Sequence, residues 1–174
     1  MFESFDVSLL QAANALRSPG LDLFFSGVTW LGSLWVLLPL CELLILNWRG
    51  SDNFSVWTVT LSLLLAGSLA FGLKIFFGRA RPDLFPSLIS LPPDASFPSG
   101  HSAQAAAFLL ALLIALPGRW RWPLGGFFLA LLLAIGYSRV HLQVHWPSDV
   151  LGGYGLGVFS ALLVAALMRW LVPR

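Results

Sequence analysis

The sequence predicts an all-α integral membrane bundle of about five transmembrane helices, preceded by an N-terminal amphipathic helix lying in the membrane interface. Three observations carry this. Hydrophobic residues make up 57% of the 174-residue chain and charged residues only 10%, against roughly 25% charged in a soluble domain. The apolar residues gather into five runs, about 22–47, 54–77, 100–116, 122–137 and 149–170, lengths that cross a bilayer once, the two shortest with help from flanking residues. Ahead of them, residues 4–17 place apolar side chains at helical spacing.

That first segment sets Phe5, Leu9, Leu10, Ala13 and Leu16 among Glu3, Asp6, Gln11, Asn14 and Arg17, the pattern of a helix on the membrane surface. It begins acidic, with no basic region ahead of an apolar core, so it does not read as a cleavable signal peptide. Ser18, Pro19 and Gly20 break it. The run 22–47 then reads as one span, with Glu42 near its far end, placed to snorkel. On the last run Gly153 and Gly157 form a GxxxG, suited to close helix packing in lipid. The lone Cys41 excludes an internal disulfide and leaves the redox compartment unread. The length suggests a single domain over 1–174, and a net charge of +2 is too small to imply nucleic acid.

Orientation follows from the basic residues. Arg49, Arg119, Arg121, Arg169 and Arg174, with Trp48, Trp120, Trp122 and Trp170 beside them, mark one edge as cytoplasmic with its aromatic belt. Arg17, Lys74, Arg79, Arg81 and Arg139 on the other side tie the count. If most of these serve chemistry, the tie breaks in favour of that side lying outside.

With alternating helices, three polar groups share that face: Lys74 and Arg81; Pro98, Ser99, Gly100 and His101; and Ser138, Arg139, His145 and Asp149. Lys74, Arg81 and Arg139 offer three cations, and the arginine fork suits phosphate oxygens. Ser99 and Gly100 open a helix whose backbone N–H groups and dipole favour an anion. Asp149, four residues after His145, can hold the imidazole by one nitrogen and leave the other to attack. His101, from another helix, can protonate the departing oxygen. Each also has an ordinary reading. Ser99 can be a plain N-cap, Asp149 a first-turn acid, His101 a cap, and Lys74 and Arg79 snorkelling residues. Taken together, ionisable groups near lipid favour function.

The arrangement Lys74-x6-Arg81-Pro82, Pro98-Ser99-Gly100-His101 and Ser138-Arg139-x5-His145-x3-Asp149 closely resembles the three-part motif of the type 2 phosphatidic acid phosphatase (PAP2) superfamily, in order and at full spacing. The likeness covers Lys74 to about Gly153. It implies a phosphohistidine at His145, with Asp149 orienting it, His101 as the acid, and Lys74, Arg81, Ser99, Gly100 and Arg139 on the phosphoryl oxygens. It also implies catalysis with no metal and no cofactor.

A lipid phosphate or diphosphate in the bilayer is the expected partner; no protein partner is evident. Undecaprenyl diphosphate is the first expectation, because the compact chain resembles the short undecaprenyl-diphosphatase branch. Phosphatidylglycerophosphate, phosphatidic acid and lipid A 1-phosphate stay open. The expected location is a bacterial inner membrane, with the site on the extracytoplasmic face. Two alternatives stand beside hydrolysis: transfer of the phosphate to an acceptor lipid, and transport of a lipid or anion, which leaves the histidines and aspartate unexplained. His141, four residues before His145, lacks a third metal ligand and reads as structural or at the substrate rim. Arg79 and Asp83 are expected to pair with each other or with a head group.

Overall fold

Seven α-helices follow one another in the computed structural model, which describes residues 2–47 and 53–171. They are α1 (Phe2–Ala15), α2 (Pro19–Val28), α3 (Leu34–Asn47), α4 (Asn53–Phe77), α5 (Gly100–Ala115), α6 (Gly118–His141) and α7 (Pro147–Leu171), with a 3-10 turn, Thr29–Gly32, joining α2 to α3. Trp48, Arg49 and Arg174, expected on the cytoplasmic edge, lie outside the described residues. No strand occurs among the described residues.

Among the described residues three helices are long and apolar enough to cross a membrane: Val56–Phe77 of α4, α6 and α7. The run 22–47, expected as one straight span, is instead broken, its two halves meeting at 48°. The break expected at Ser18, Pro19 and Gly20 follows the end of α1 at Ala15, and Pro19 and Gly20 then open α2, which the Ser18 hydroxyl caps by accepting the Leu21 N–H. The bend comes at Ser33, which leaves helical geometry and donates its hydroxyl to the Trp30 carbonyl at 2.7 Å. Gly32 makes the bend possible. A Cβ there would meet Ile135 Cγ2 at 2.6 Å and the His101 carbonyl at 3.1 Å, so only glycine lets this turn press against α5 and α6.

Helix α5 has 16 residues, about 24 Å at 1.5 Å per residue, and forms the centre of the bundle. Its small residues Ala103, Ala105, Ala106, Ala107 and Ala111 are buried, and it packs on α4, α6 and α7. The GxxxG of α7 faces it. A Cβ on Gly153 would lie 2.6 Å from the Ser99 carbonyl, and one on Gly157 would lie 2.6 Å from Ala106 Cβ and against the Ala103 carbonyl. The two backbones can approach only because both positions lack side chains.

Helix α6 extends past the apolar run 122–137 at both ends. Ser138, Arg139 and His141, expected in a loop, therefore occupy its last turn. No proline or glycine stands between Gly136 and Leu142, and the turn closes where Gln143 takes a φ of 60°. Only Leu142–Trp146 connects α6 to α7, and Pro147 starts α7 as a first-turn residue should.

Helix α1 docks by Leu10 and Ala13 against Val140 and Val150. Phe5, Leu9 and Leu16 stay exposed, facing outward as an interfacial helix requires. Asp6, expected on the solvated face, is instead buried at 1% exposure. Glu42 is exposed on α3. At the end remote from α1, Trp120, Trp122 and Trp170 are exposed, and Arg121 caps α5 by donating to the carbonyls of Ile114 and Leu116, both at 3.1 Å.

Candidate active site

The start of α3, α4 towards its C-terminal end, the start of α5, the end of α6, the loop 78–99 and the short loop before α7 converge around a cavity of about 350 Å³. Lys74, Arg81, Gly100, His101, Arg139 and His145 all line it, so six of the eight residues singled out from sequence meet in one place. The other two stand behind the wall. Asp149 is fully buried beneath His145, and Ser99 is fully buried at the start of α5.

His145 sits in the short loop before α7, with 2% exposure. Its Nδ1 lies 3.5 Å from Asp149 Oδ2 and 3.4 Å from the Ser96 hydroxyl. Its Nε2 lies 3.4 Å from Arg81 Nη1, on the cavity side. A neutral ring with its proton on Nδ1 turns the Nε2 lone pair toward that space. Burial first, and then the nearby charges of Arg139 and Arg81, push the imidazole down to about 4, with Asp149 opposing.

Asp149 is held from several directions. Ser96 donates its hydroxyl to Oδ2 at 2.5 Å, the Trp146 N–H donates to Oδ2 at 2.9 Å, and Arg79 Nη1 donates to Oδ1 at 2.5 Å. A carboxylate so fixed can point at one ring nitrogen without drifting. The Asp149 carbonyl also accepts the Ser99 N–H at 3.0 Å, which ties α7 to the start of α5.

On the opposite wall Arg139 donates Nη1 to Thr29 Oγ1 at 2.6 Å, while its buried Nε has no hydrogen-bond partner among the described residues. Such a donor suits an incoming anion. The Ser99 hydroxyl is engaged as a cap, accepting the Ser102 N–H at 3.4 Å and the Ser102 hydroxyl at 2.9 Å. What α5 offers the cavity is its first turn at Gly100 and His101, with the N-terminal end of its dipole.

The chain matches the PAP2 superfamily over residues 55–173. It belongs to that superfamily. Among PAP2 relatives it is 34% identical to phosphatidylglycerophosphatase B of Bacillus subtilis, over 93% of this chain and 82% of that protein. It is 36% identical to a lipid A 1-phosphatase of Rhizobium johnstonii, over 82% of this chain and 57% of that protein. It is 29% identical to an undecaprenyl-diphosphatase of Sulfolobus acidocaldarius, over 91% and 76%. The crystal structure of the PAP2-type phosphatidylglycerolphosphate phosphatase from Bacillus subtilis superposes with a TM-score of 0.84 at 29% identity, over 98% of this chain and 88% of that one. The PAP2 chain described here is thus a membrane phosphatase.

Several residues of this PAP2 site were not expected from sequence. Among the described residues Arg79 does not pair with Asp83. It bridges Asp149 to Asp6 of α1, its Nη2 donating to Asp6 at 2.7 Å, and lies over the Trp146 ring at 5.6 Å. Asp6 also accepts the Ser148 N–H at 2.8 Å and the Ser148 hydroxyl at 2.6 Å, so the interfacial helix is pinned to the first turn of α7. Asp94 accepts from Arg81 Nη2 at 2.6 Å and lies 3.1 Å from Lys74 Nζ. A carboxylate between the first and second motifs was the visible signal for it. His141 does not line the cavity: it is buried, 2.8 Å from Asp22, with the rings of Phe25 and Tyr137 around it. It acts in packing.

Proposed function

We propose that this membrane phosphatase removes the terminal phosphate of a lipid through a phosphohistidine at His145. The observation that carries the reading is the direction of His145: Nδ1 toward the anchored Asp149 and Nε2 toward a cavity lined by Lys74, Arg81 and Arg139. In the first step Nε2 attacks phosphorus, the P–O bond to the lipid breaks, and His101 gives its proton to the departing oxygen. In the second, His101 takes a proton from water as that water attacks the phosphorus. The N–P bond then breaks and inorganic phosphate leaves. The cations hold the equatorial oxygens through both steps.

A lipid tail is supported by the other wall. Leu34 and Trp35 of α3 face Gly67, Ala70 and Phe71 of α4 across the same cavity. Trp35 and Phe71 are 82% and 64% exposed, so that wall continues onto the hydrocarbon-facing surface. Phosphatidylglycerophosphate is favoured as substrate by the Bacillus relative, which aligns over most of both chains. Undecaprenyl diphosphate, the expectation from chain size, is favoured by the Sulfolobus relative. Purified protein should release phosphate from at least one of these lipids, or from phosphatidic acid or lipid A 1-phosphate, with a chelator present. Loss of activity to the chelator and its return with a divalent ion would overturn the metal-independent chemistry; release from none of the four would overturn the phosphatase reading for this panel.

The site is proposed to face the outside of a bacterial inner membrane, because Arg119, Arg121 and Arg169 cluster at the other ends of α6 and α7. With Cys41 replaced by Ser, a cysteine at the exposed Ser90 should react with an impermeant maleimide in intact cells, while one at the exposed Arg119 should not. Labelling at position 119 alone would place the chemistry on the cytoplasmic leaflet.

A further inference from the structure

We infer that Asp94 is an internal competitor for the substrate's phosphate: its carboxylate holds two of the cations meant for the phosphoryl group, and the lipid is bound only as Asp94 leaves. The inference rests on the phosphatase reading above. It follows from counting donors.

A guanidinium has five N–H groups, and all five of Arg81 are directed at protein acceptors. Nε donates to the Asp94 carbonyl at 3.1 Å; Nη1 donates to the Val144 carbonyl at 2.7 Å and faces His145 Nε2; Nη2 donates to Asp94 Oδ1 at 2.6 Å and to the Ala95 carbonyl at 3.4 Å. Lys74 is engaged by Asp94 Oδ2 and by the Ala95 carbonyl. The Nη2 bond to Oδ1 is the one the Asp94 side chain takes, and it is the one a departing carboxylate would release to a phosphate oxygen, together with its hold on Lys74 Nζ. The two carboxylate oxygens bridge Arg81 Nη2 and Lys74 Nζ, as two oxygens of a phosphate would, so the two anions are alternatives at one position.

The competitor has a reason to exist. The side chains of Lys74 and Arg81 are only 8% and 9% exposed, and cations so buried are costly without a counter-charge. Asp94 supplies that charge while the site is empty of substrate. Burial would raise its carboxyl, but the hydrogen bonds from Lys74 and Arg81 outweigh this and hold it below the ordinary carboxylate range, so it stays charged. It can also leave cheaply. Its side chain is 41% exposed and lies on a segment without regular structure between α4 and α5. Displacement sets a threshold that favours a terminal phosphate, which can carry two charges, over the singly charged phosphodiesters that surround the protein in the bilayer. Asp94 is thereby a specificity-determining residue.

The test is Asp94→Asn, with Asp94→Glu as the variant that keeps the carboxylate. Apparent affinity falls with the fraction of time a site stands open; for an open state populated at about 1 to 10%, the asparagine variant should bind inorganic phosphate about 10- to 100-fold more tightly by calorimetric titration. Its KM for the lipid should fall, and phosphatidylglycerol in mixed micelles should become a stronger competitive inhibitor. The glutamate variant should remain close to wild type. Phosphate binding unchanged or weaker in Asp94→Asn would overturn the inference, making Asp94 an organiser of the cradle. Should Asp94→Asn fail to fold, Asp94→Ser gives the same reading. Turnover by the wild type is scored separately, so an inactive wild type counts against the phosphatase reading, and an active one with unchanged phosphate affinity in the variant counts against Asp94 alone.

Discussion

His145→Ala is expected to leave a folded protein with no measurable turnover, a loss of about 10⁴-fold or more, as for removal of an enzyme's nucleophile. The substitution takes away the attacking nitrogen but does not strand a buried charge, because Asp149 keeps Ser96, the Trp146 N–H and Arg79 as partners. The thermal melting curve should therefore change far less than the rate. Phosphate release from the wild-type substrate measures the rate, and quenching in alkali, where a phosphohistidine survives, shows whether labelled phosphate remains on the protein. Label retained by the alanine variant would remove His145 as the nucleophile.

The same residue sets a pH dependence. Its imidazole is pushed down to about 4 by burial and by Arg139 and Arg81, so it is neutral and competent across the physiological range. The acid limb of kcat/KM that belongs to this group should fall near pH 4, well below the ordinary histidine value of 6.5. The sign for stability is set by the same shift. Between 6.5 and about 4 the unfolded chain binds a proton that the folded chain refuses, so His145 costs stability as pH falls through that window.

His101→Ala is the second large effect, expected at about 10² to 10⁴-fold on a natural lipid, the range for loss of general acid catalysis. It should differ from His145→Ala in kind. The nucleophile remains, so a substrate whose leaving group needs no proton, such as an aryl phosphate, should recover much of the rate of the first step. The comparison is a ratio of ratios: variant over wild type on the lipid, against variant over wild type on the aryl ester. Equal losses on both substrates would deny His101 the proton-donor role and leave it a helix-start residue packed on Gly32, whose missing side chain its own carbonyl and Cβ would otherwise meet.

The helices, their apolar lengths and the three cationic and histidine-bearing clusters could be read from the chain, because each is a local pattern. Apolar runs report burial in lipid wherever they lie, and Lys74 to Arg81, Pro98 to His101 and Arg139 to Asp149 keep their spacing within single segments. The GxxxG of α7 was legible for the same reason. The kink at Ser33 was not, since no proline or glycine pair marks it, and it forms where Gly32 meets α5 and α6. The extension of α6 through Arg139 and His141 was also hidden, because polar residues at a helix end resemble a loop until neighbours bury them.

What the sequence by itself determined is the set of groups that the proposed chemistry draws on: three cations, a histidine with an aspartate four residues on, and a second histidine from another helix, in an apolar membrane chain. What only the tertiary structure decided is how those groups are held and guarded. Arg79 reaches Asp6 across 73 positions and Arg139 reaches Thr29 across 110, while Asp94 folds back onto both Lys74 and Arg81. Such pairings depend on which helix ends the packing brings within about 3 Å, the reach of a charge-assisted hydrogen bond, and no local spacing in the chain encodes that distance.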